Sequence, residues 1–173
     1  MANEKLDTNQ KARQINLDAN RYGTFAEIAR FVTGEHRLPE PECALAAVLF
    51  SDVVGSTERA SALGGERWKR LLDRHDQVAR TCVGRRGGRV IKTTGDGIVA
   101  TLPSAISALH VARELRTALG DEGLEVRVGL HVGYFDRRGD DISGLAVNVA
   151  ARIVNIATPG EILVSDTVRR AAA

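Results

Sequence analysis

A run of apolar residues that ends on a carboxylate and turns at once into a glycine-led helix start is what most limits how this chain can fold. The run is Leu45-Ala46-Ala47-Val48-Leu49-Phe50-Ser51-Asp52, followed by Val53-Val54-Gly55-Ser56-Thr57. A strand this apolar is buried, so its terminal aspartate is held rigidly at a sheet end that water still reaches. A second carboxylate stands in Lys92-Thr93-Thr94-Gly95-Asp96-Gly97, with Asp96 at the tip of an expected hairpin. Two carboxylates converging at strand ends can hold Mg2+, which takes carboxylates together with substrate phosphates. The unpaired N–H groups of the Gly55-Ser56-Thr57 helix start would face such a triphosphate.

Composition narrows the alternatives. A chain of 173 residues that is 43% hydrophobic can bury one core and make one domain with an accessory segment. Net charge of +2 and 4% aromatics supply no basic surface interleaved with stacking rings, which argues against nucleic acid as a partner. The pairs Arg85/Arg86, Arg137/Arg138 and Arg169/Arg170 read as solvated charge. Cys43 and Cys82 are too few for a disulfide framework and lack metal-ligand spacing, which fits a reducing, cytoplasmic compartment. No apolar run reaches the ~18 residues of a membrane helix, and the polar start is unlike a signal peptide, so the chain as given is expected to be soluble, whether alone or as one piece of a larger or membrane-anchored protein.

Residues 1–43 read as a polar N-terminal segment, with an amphipathic stretch around residues 25–32 and a linker marked by Pro39 and Pro41. Residues 44–173 read as the folded domain. Its strand to Asp52 is followed by helical spacing from Thr57 to about Gly84, broken near Gly64-Gly65, with Trp68, Leu71, Leu72, His75, Val78, Ala79 and Cys82 on one face. Gly87-Gly88 stop that helix, and residues 89–93 and 98–102 form the hairpin around Asp96. A helix follows Pro103-Ser104, then an alternating strand over residues 124–132 and a charged turn over residues 135–140. The last clear helix, about residues 144–156, carries Asn148 and Arg152 one turn apart on an otherwise apolar sequence, and residues 161–165 make a short strand. The order predicts an α+β domain with helices packed on a largely antiparallel sheet.

Taken one at a time, these side chains have ordinary explanations. Asp96 between glycines is a turn former, Lys92 a solvated strand lysine, Asp141 a loop or cap acid, and Asp52 a cap for the next helix. Asn148 and Arg152 could equally serve a hydrogen bond to a neighbouring element. Together they resemble the catalytic domain of class III nucleotide cyclases, whose motifs appear in order as residues 50–57, residues 92–97 and residues 141–152. The match covers about residues 44–173. It implies a ferredoxin-like fold and an adenylyl cyclase that converts ATP to 3',5'-cyclic AMP and pyrophosphate with two divalent ions, Mg2+ or Mn2+.

By that resemblance Asp52 and Asp96 each bind the two metals, with the Val53 carbonyl a further ligand. Lys92 and Asp141 read the base, Asn148 orients the ribose, and Arg152 stabilises charge at the α-phosphate. The active site is shared across a head-to-tail homodimer. Residues 27–34 are similar to segments that join an upstream regulatory domain to such cyclases. Relatives continue past the strand near Ile162 with a hairpin and strand bearing a phosphate-contacting lysine, which this sequence lacks before Ala173. The departure keeps a second reading open, a nucleotide-binding or dimerisation module of the same fold with little or no turnover. A diguanylate cyclase ranks last, because its Gly-Gly-Asp/Glu-Glu-Phe signature is absent and Asn148 and Arg152 would go unexplained. Tyr134 is read as packing, and His36, His75, His110 and His131 receive no catalytic role.

Overall fold

The computed structural model describes residues 42–173; the amphipathic stretch, the Pro39/Pro41 linker and the segment likened to an upstream connector lie outside the described residues. Six strands and five helices follow one another as β1 (Glu42–Val53), α1 (Ser56–Leu63), α2 (Gly65–Arg85), β2 (Arg89–Thr93), β3 (Gly97–Leu102), α3 (Ala105–Asp121), β4 (Val126–Arg138), β5 (Asp141–Ser143), α4 (Leu145–Ile156), β6 (Ile162–Val164) and α5 (Asp166–Ala171). The sheet runs β2-β3-β1-β4-β5, with β6 added beside β4. All pairings are antiparallel except β4 with β6. The expected α+β architecture on a largely antiparallel sheet is what forms.

Two strand boundaries differ from the sequence reading. Residues 135–138, expected as a charged turn, instead extend β4, and only Gly139 and Asp140 turn the chain into β5. Glu42 and Cys43, expected in the linker, begin β1. The cause is mutual: Glu42 pairs with Arg137 and Cys43 with Asp136, so backbone hydrogen bonding outweighs the polar composition of both segments.

Side-chain alternation divides the sheet's faces. Ala47, Leu49 and Val53 of β1 and Val126, Val128 and Leu130 of β4 enter a core that also takes Ala79, Cys82 and Val83 of α2, Val111, Leu115 and Leu119 of α3, and Val168 of α5. Leu115 and Leu119 are fully buried, each stabilising the domain by about 2 kcal/mol of apolar burial. Ile106 of α3 points outward, and so do Leu45 and its cross-strand partner Tyr134; Tyr134 is 66% exposed and does not pack within the described chain as the sequence reading had it. Cys82 is buried and burial pushes its thiol upward in pKa, whereas Cys43 is exposed. The opposite face buries a smaller cluster, Val48, Val99, Phe135, Ile142, Ala146 and Ala150, beneath α4. Alternation from Val48 and Phe50 places Asp52 on this second face. Among the described residues no helix is long and apolar enough to cross a membrane.

Candidate active site

Asp52 and Asp96 come together because β1 and β3 are paired. Asp52 stands opposite Gly97, the residue after Asp96, and the Val53 N–H donates to the Asp96 carbonyl at 3.0 Å. Both carboxylates open on one cavity of about 380 Å³, lined by Asp52, Val53, Gly55–Glu58, Asp96 and Arg127 among others. That volume lies near the low end for small-molecule sites. The far wall is the start of α1. Gly55 takes the N-cap position at φ 64°, a left-handed conformation that suits glycine, and no side chain caps the helix. The first N–H groups of α1 therefore remain available to an anion, as the Gly55-Ser56-Thr57 pattern suggested.

The donors here are oxygen atoms, from two aspartates and the backbone around Val53, which suits Mg2+ or Mn2+ better than zinc or copper. No group of three or more His, Cys, Asp or Glu able to hold a metal occurs among the described residues. A two-carboxylate set leaves coordination positions for phosphate oxygens and water, so the residues present fit ions that arrive with a phosphate substrate. His75, His110 and His131 do not line the cavity. His131 bonds instead through Nδ1 with the Ser165 hydroxyl at 2.9 Å, and burial holds its pKa below the usual value.

Two charged residues of the cavity were not foreseen. Glu58 lies in the first turn of α1, and Arg127 reaches Asp52 from β4, donating from Nε at 2.9 Å and from Nη2 at 2.6 Å to the same oxygen, Oδ2. Arg127 is the cross-strand partner of Asp52 in the β1–β4 ladder. Its visible signal was a polar position in an otherwise alternating strand; its target depended on the pairing register.

The remaining candidates form a second group outside that cavity. Lys92 of β2 donates to Oδ1 of Asp141, the first residue of β5, at 2.8 Å, and the Ile142 N–H donates to the same oxygen at 2.8 Å. The Lys92 hydrogen bond is the main reason that the Asp141 carboxyl sits below the usual carboxylate range. β2 and β5 are the two ends of the strand order, so this bond bridges the sheet's two ends, and Arg89 paired with Asp140 repeats the bridge alongside it. Asn148 and Arg152 project from the exposed side of α4, and neither side chain is hydrogen-bonded or ion-paired among the described residues. One chain thus presents two separate groups of candidate residues, a carboxylate cavity and a Lys92–Asp141 pair accompanied by the α4 stripe.

Comparison with known proteins fits this arrangement. The adenylate and guanylate cyclase catalytic domain family matches residues 39–173. An adenylate cyclase of Streptomyces coelicolor is 34% identical over 120 residues, which cover 68% of this chain and 32% of the relative, so the chain spans about a third of that protein's length. Among solved structures, an adenylate/guanylate cyclase/hydrolase of Silicibacter pomeroyi superposes with TM-score 0.65 at 32% identity over 75% of this chain and 79% of the other. The adenylyl cyclase CyaB of P. aeruginosa shares the fold, with TM-score 0.69 at 24% identity over 76% of this chain and 81% of its own. Sequence match over most of the chain, a shared sheet and paired carboxylates at the strand ends agree, and the chain belongs to the adenylate and guanylate cyclase catalytic domain family.

Proposed function

We propose that this domain cyclises ATP to 3',5'-cyclic AMP with release of pyrophosphate, at sites shared by two copies of the chain. The observation that carries the reading is the meeting of Asp52 and Asp96 on a cavity whose far wall is the uncapped start of α1. Asp52, Asp96 and the Val53 carbonyl would hold two divalent ions, Mg2+ or Mn2+, which when bound acidify the ribose 3'-hydroxyl and offset charge on the phosphates. Gly55, Ser56 and Thr57 would receive the terminal phosphates on backbone N–H groups, and Arg127 would supply a forked donor beside them.

Residues of the second copy complete the site. Lys92 offers an ammonium to adenine N1 while Asp141 accepts from N6; guanine reverses both groups, and each buried mismatch costs roughly 1–3 kcal/mol. Asn148 would orient the ribose and Arg152 would meet charge developing at the α-phosphate. The two-half arrangement supports a homodimer with two equivalent sites, because the cavity of one chain contains none of these four side chains. An upstream regulatory domain joined through residues 27–34 and a cytoplasmic setting belong to the same reading, as does the division into residues 1–43 and 44–173.

The direct test is to incubate the purified chain with ATP or GTP and Mn2+ or Mg2+ and to measure cyclic nucleotide, with Asp96→Ala as control. Cyclic AMP from ATP is the expected product. Tight binding of an ATP analogue without product would reassign the chain as a nucleotide-binding module. Base reading has its own test: Lys92→Glu with Asp141→Cys should lower the ATP:GTP ratio of kcat/KM by about tenfold or more, the scale of one or two lost base contacts. An unchanged ratio would remove both side chains from base recognition.

A further inference from the structure

The bond between Arg127 and Asp52 conflicts with the role just given to Asp52. An aspartate that serves two divalent ions needs both oxygens, yet Oδ2 here accepts two N–H bonds from a single guanidinium. Arg127 and Asp52 are 30% and 27% exposed, so the pair is shielded on most sides and its attraction is stronger than that of a surface pair. The guanidinium keeps its charge at any working pH, so it can free Asp52 only by moving away. Strand pairing fixes its backbone opposite Asp52, which leaves the side chain alone to move.

Charge in the cavity says when it would move. Among the lining residues Arg127 is the one cation, against the carboxylates of Asp52, Asp96 and Glu58. Without nucleotide, the strongest partner within its reach is the carboxylate it already holds. A triphosphate against the start of α1 would bring several anionic oxygens, and a forked guanidinium bonds phosphate as well as carboxylate.

We propose that Arg127 is an exchangeable counter-ion that occupies Asp52 in the nucleotide-free chain and transfers to the arriving phosphates, so that Asp52 becomes fully available to metal only together with substrate. The idea rests on the reading of Asp52 as a metal ligand. Arg127 is on this account a positioning residue for Asp52, and it makes binding of metal and of nucleotide mutually reinforcing.

The sign of one measurement separates this from an ordinary supporting role. Losing a residue that merely orients a metal ligand lowers metal affinity by about 10–100-fold. Losing a competitor for the ligand raises it. Titration of the full chain with Mn2+ alone, followed by the electron paramagnetic resonance signal of the free ion, should show Arg127→Gln binding about tenfold tighter than wild type. Addition of a non-cyclisable ATP analogue, with the Mn2+ that the analogue itself chelates subtracted by a protein-free titration, should then tighten protein-bound Mn2+ clearly in wild type and much less in the variant. Arg127→Lys, which keeps the charge but cannot fork, should fall between the two and serves if Arg127→Gln does not fold.

Weaker or unchanged Mn2+ binding in folded Arg127→Gln, with wild-type binding abolished by Asp52→Asn, overturns the exchange and leaves the metal assignment standing. If wild type takes up no Mn2+ with or without the analogue, the metal reading of Asp52 fails and the exchange fails with it.

Discussion

Chains carrying Asp52→Ala, mixed with chains carrying Arg152→Ala, are expected to make cyclic nucleotide that neither makes alone. Each single change should lower activity about a thousandfold, the scale of losing a principal source of charge stabilisation at a reacting phosphate. On the shared-site reading the mixture should regain it, because the two defects fall in different parts of the composite site. Asp52 opens on the cavity at the α1 start, whereas Arg152 is exposed on α4 and does not line that cavity. In a mixed dimer the Arg152→Ala chain supplies intact carboxylates and the Asp52→Ala chain an intact arginine, and these meet in one of the two sites. Free exchange makes about half of the dimers mixed, so roughly a quarter of wild-type activity should return. Activity that stays at the level of the single variants, with dimers demonstrated by sedimentation, would show that one chain uses its own Asp52 and Arg152. Neither substitution should unfold the protein, because neither side chain belongs to a core cluster.

What the sequence made legible follows from the range over which each signal acts. Local signals were sound. Gly64-Gly65 does separate two helices, Gly87-Gly88 does follow the end of α2, and Ser104 caps α3 by accepting from the Ser107 N–H at 3.1 Å. The apolar run to Asp52 is a central strand, buried on both faces at Ala47, Val48 and Leu49 although Leu45 stays exposed. Failures came where a partner distant in sequence decides the outcome. Asp136, Arg137 and Arg138 look like a turn until Cys43 and Glu42 are placed beside them. Arg127 looks like a solvated strand residue until the β1–β4 register sets it opposite Asp52. The closure of β2 on β5 through Lys92 and Asp141 lies beyond periodicity, and only the family motifs put those two residues in one role. Register is a property of pairs of strands, and a single strand's pattern carries one half of it.

Gly129 ties that register to α4, and its replacement by alanine is expected to cost more than any surface change in the domain. A Cβ at this position would lie 2.4 Å from the backbone nitrogen of Val154 and 2.9 Å from the carbonyl oxygen of Ala150. Both atoms belong to the backbone of α4, so no rotamer change relieves the contact and the helix itself has to lift from β4. Overpacking of this kind costs about 3 kcal/mol, which for a domain of this size lowers Tm by roughly 10 °C. The helix that lifts is the one that carries Asn148 and Arg152, while Asp52 and Asp96 depend on the β1–β3 pairing and do not touch α4 through Gly129. Gly129→Ala should therefore lose cyclisation well below its melting temperature while Mn2+ binding in the same preparation remains near wild type. Thermal denaturation alongside Mn2+ titration checks both halves. An unchanged Tm would mean that α4 has slack the close contact denies, and loss of Mn2+ binding in step with activity would mean that the two halves of the site are not mechanically separate.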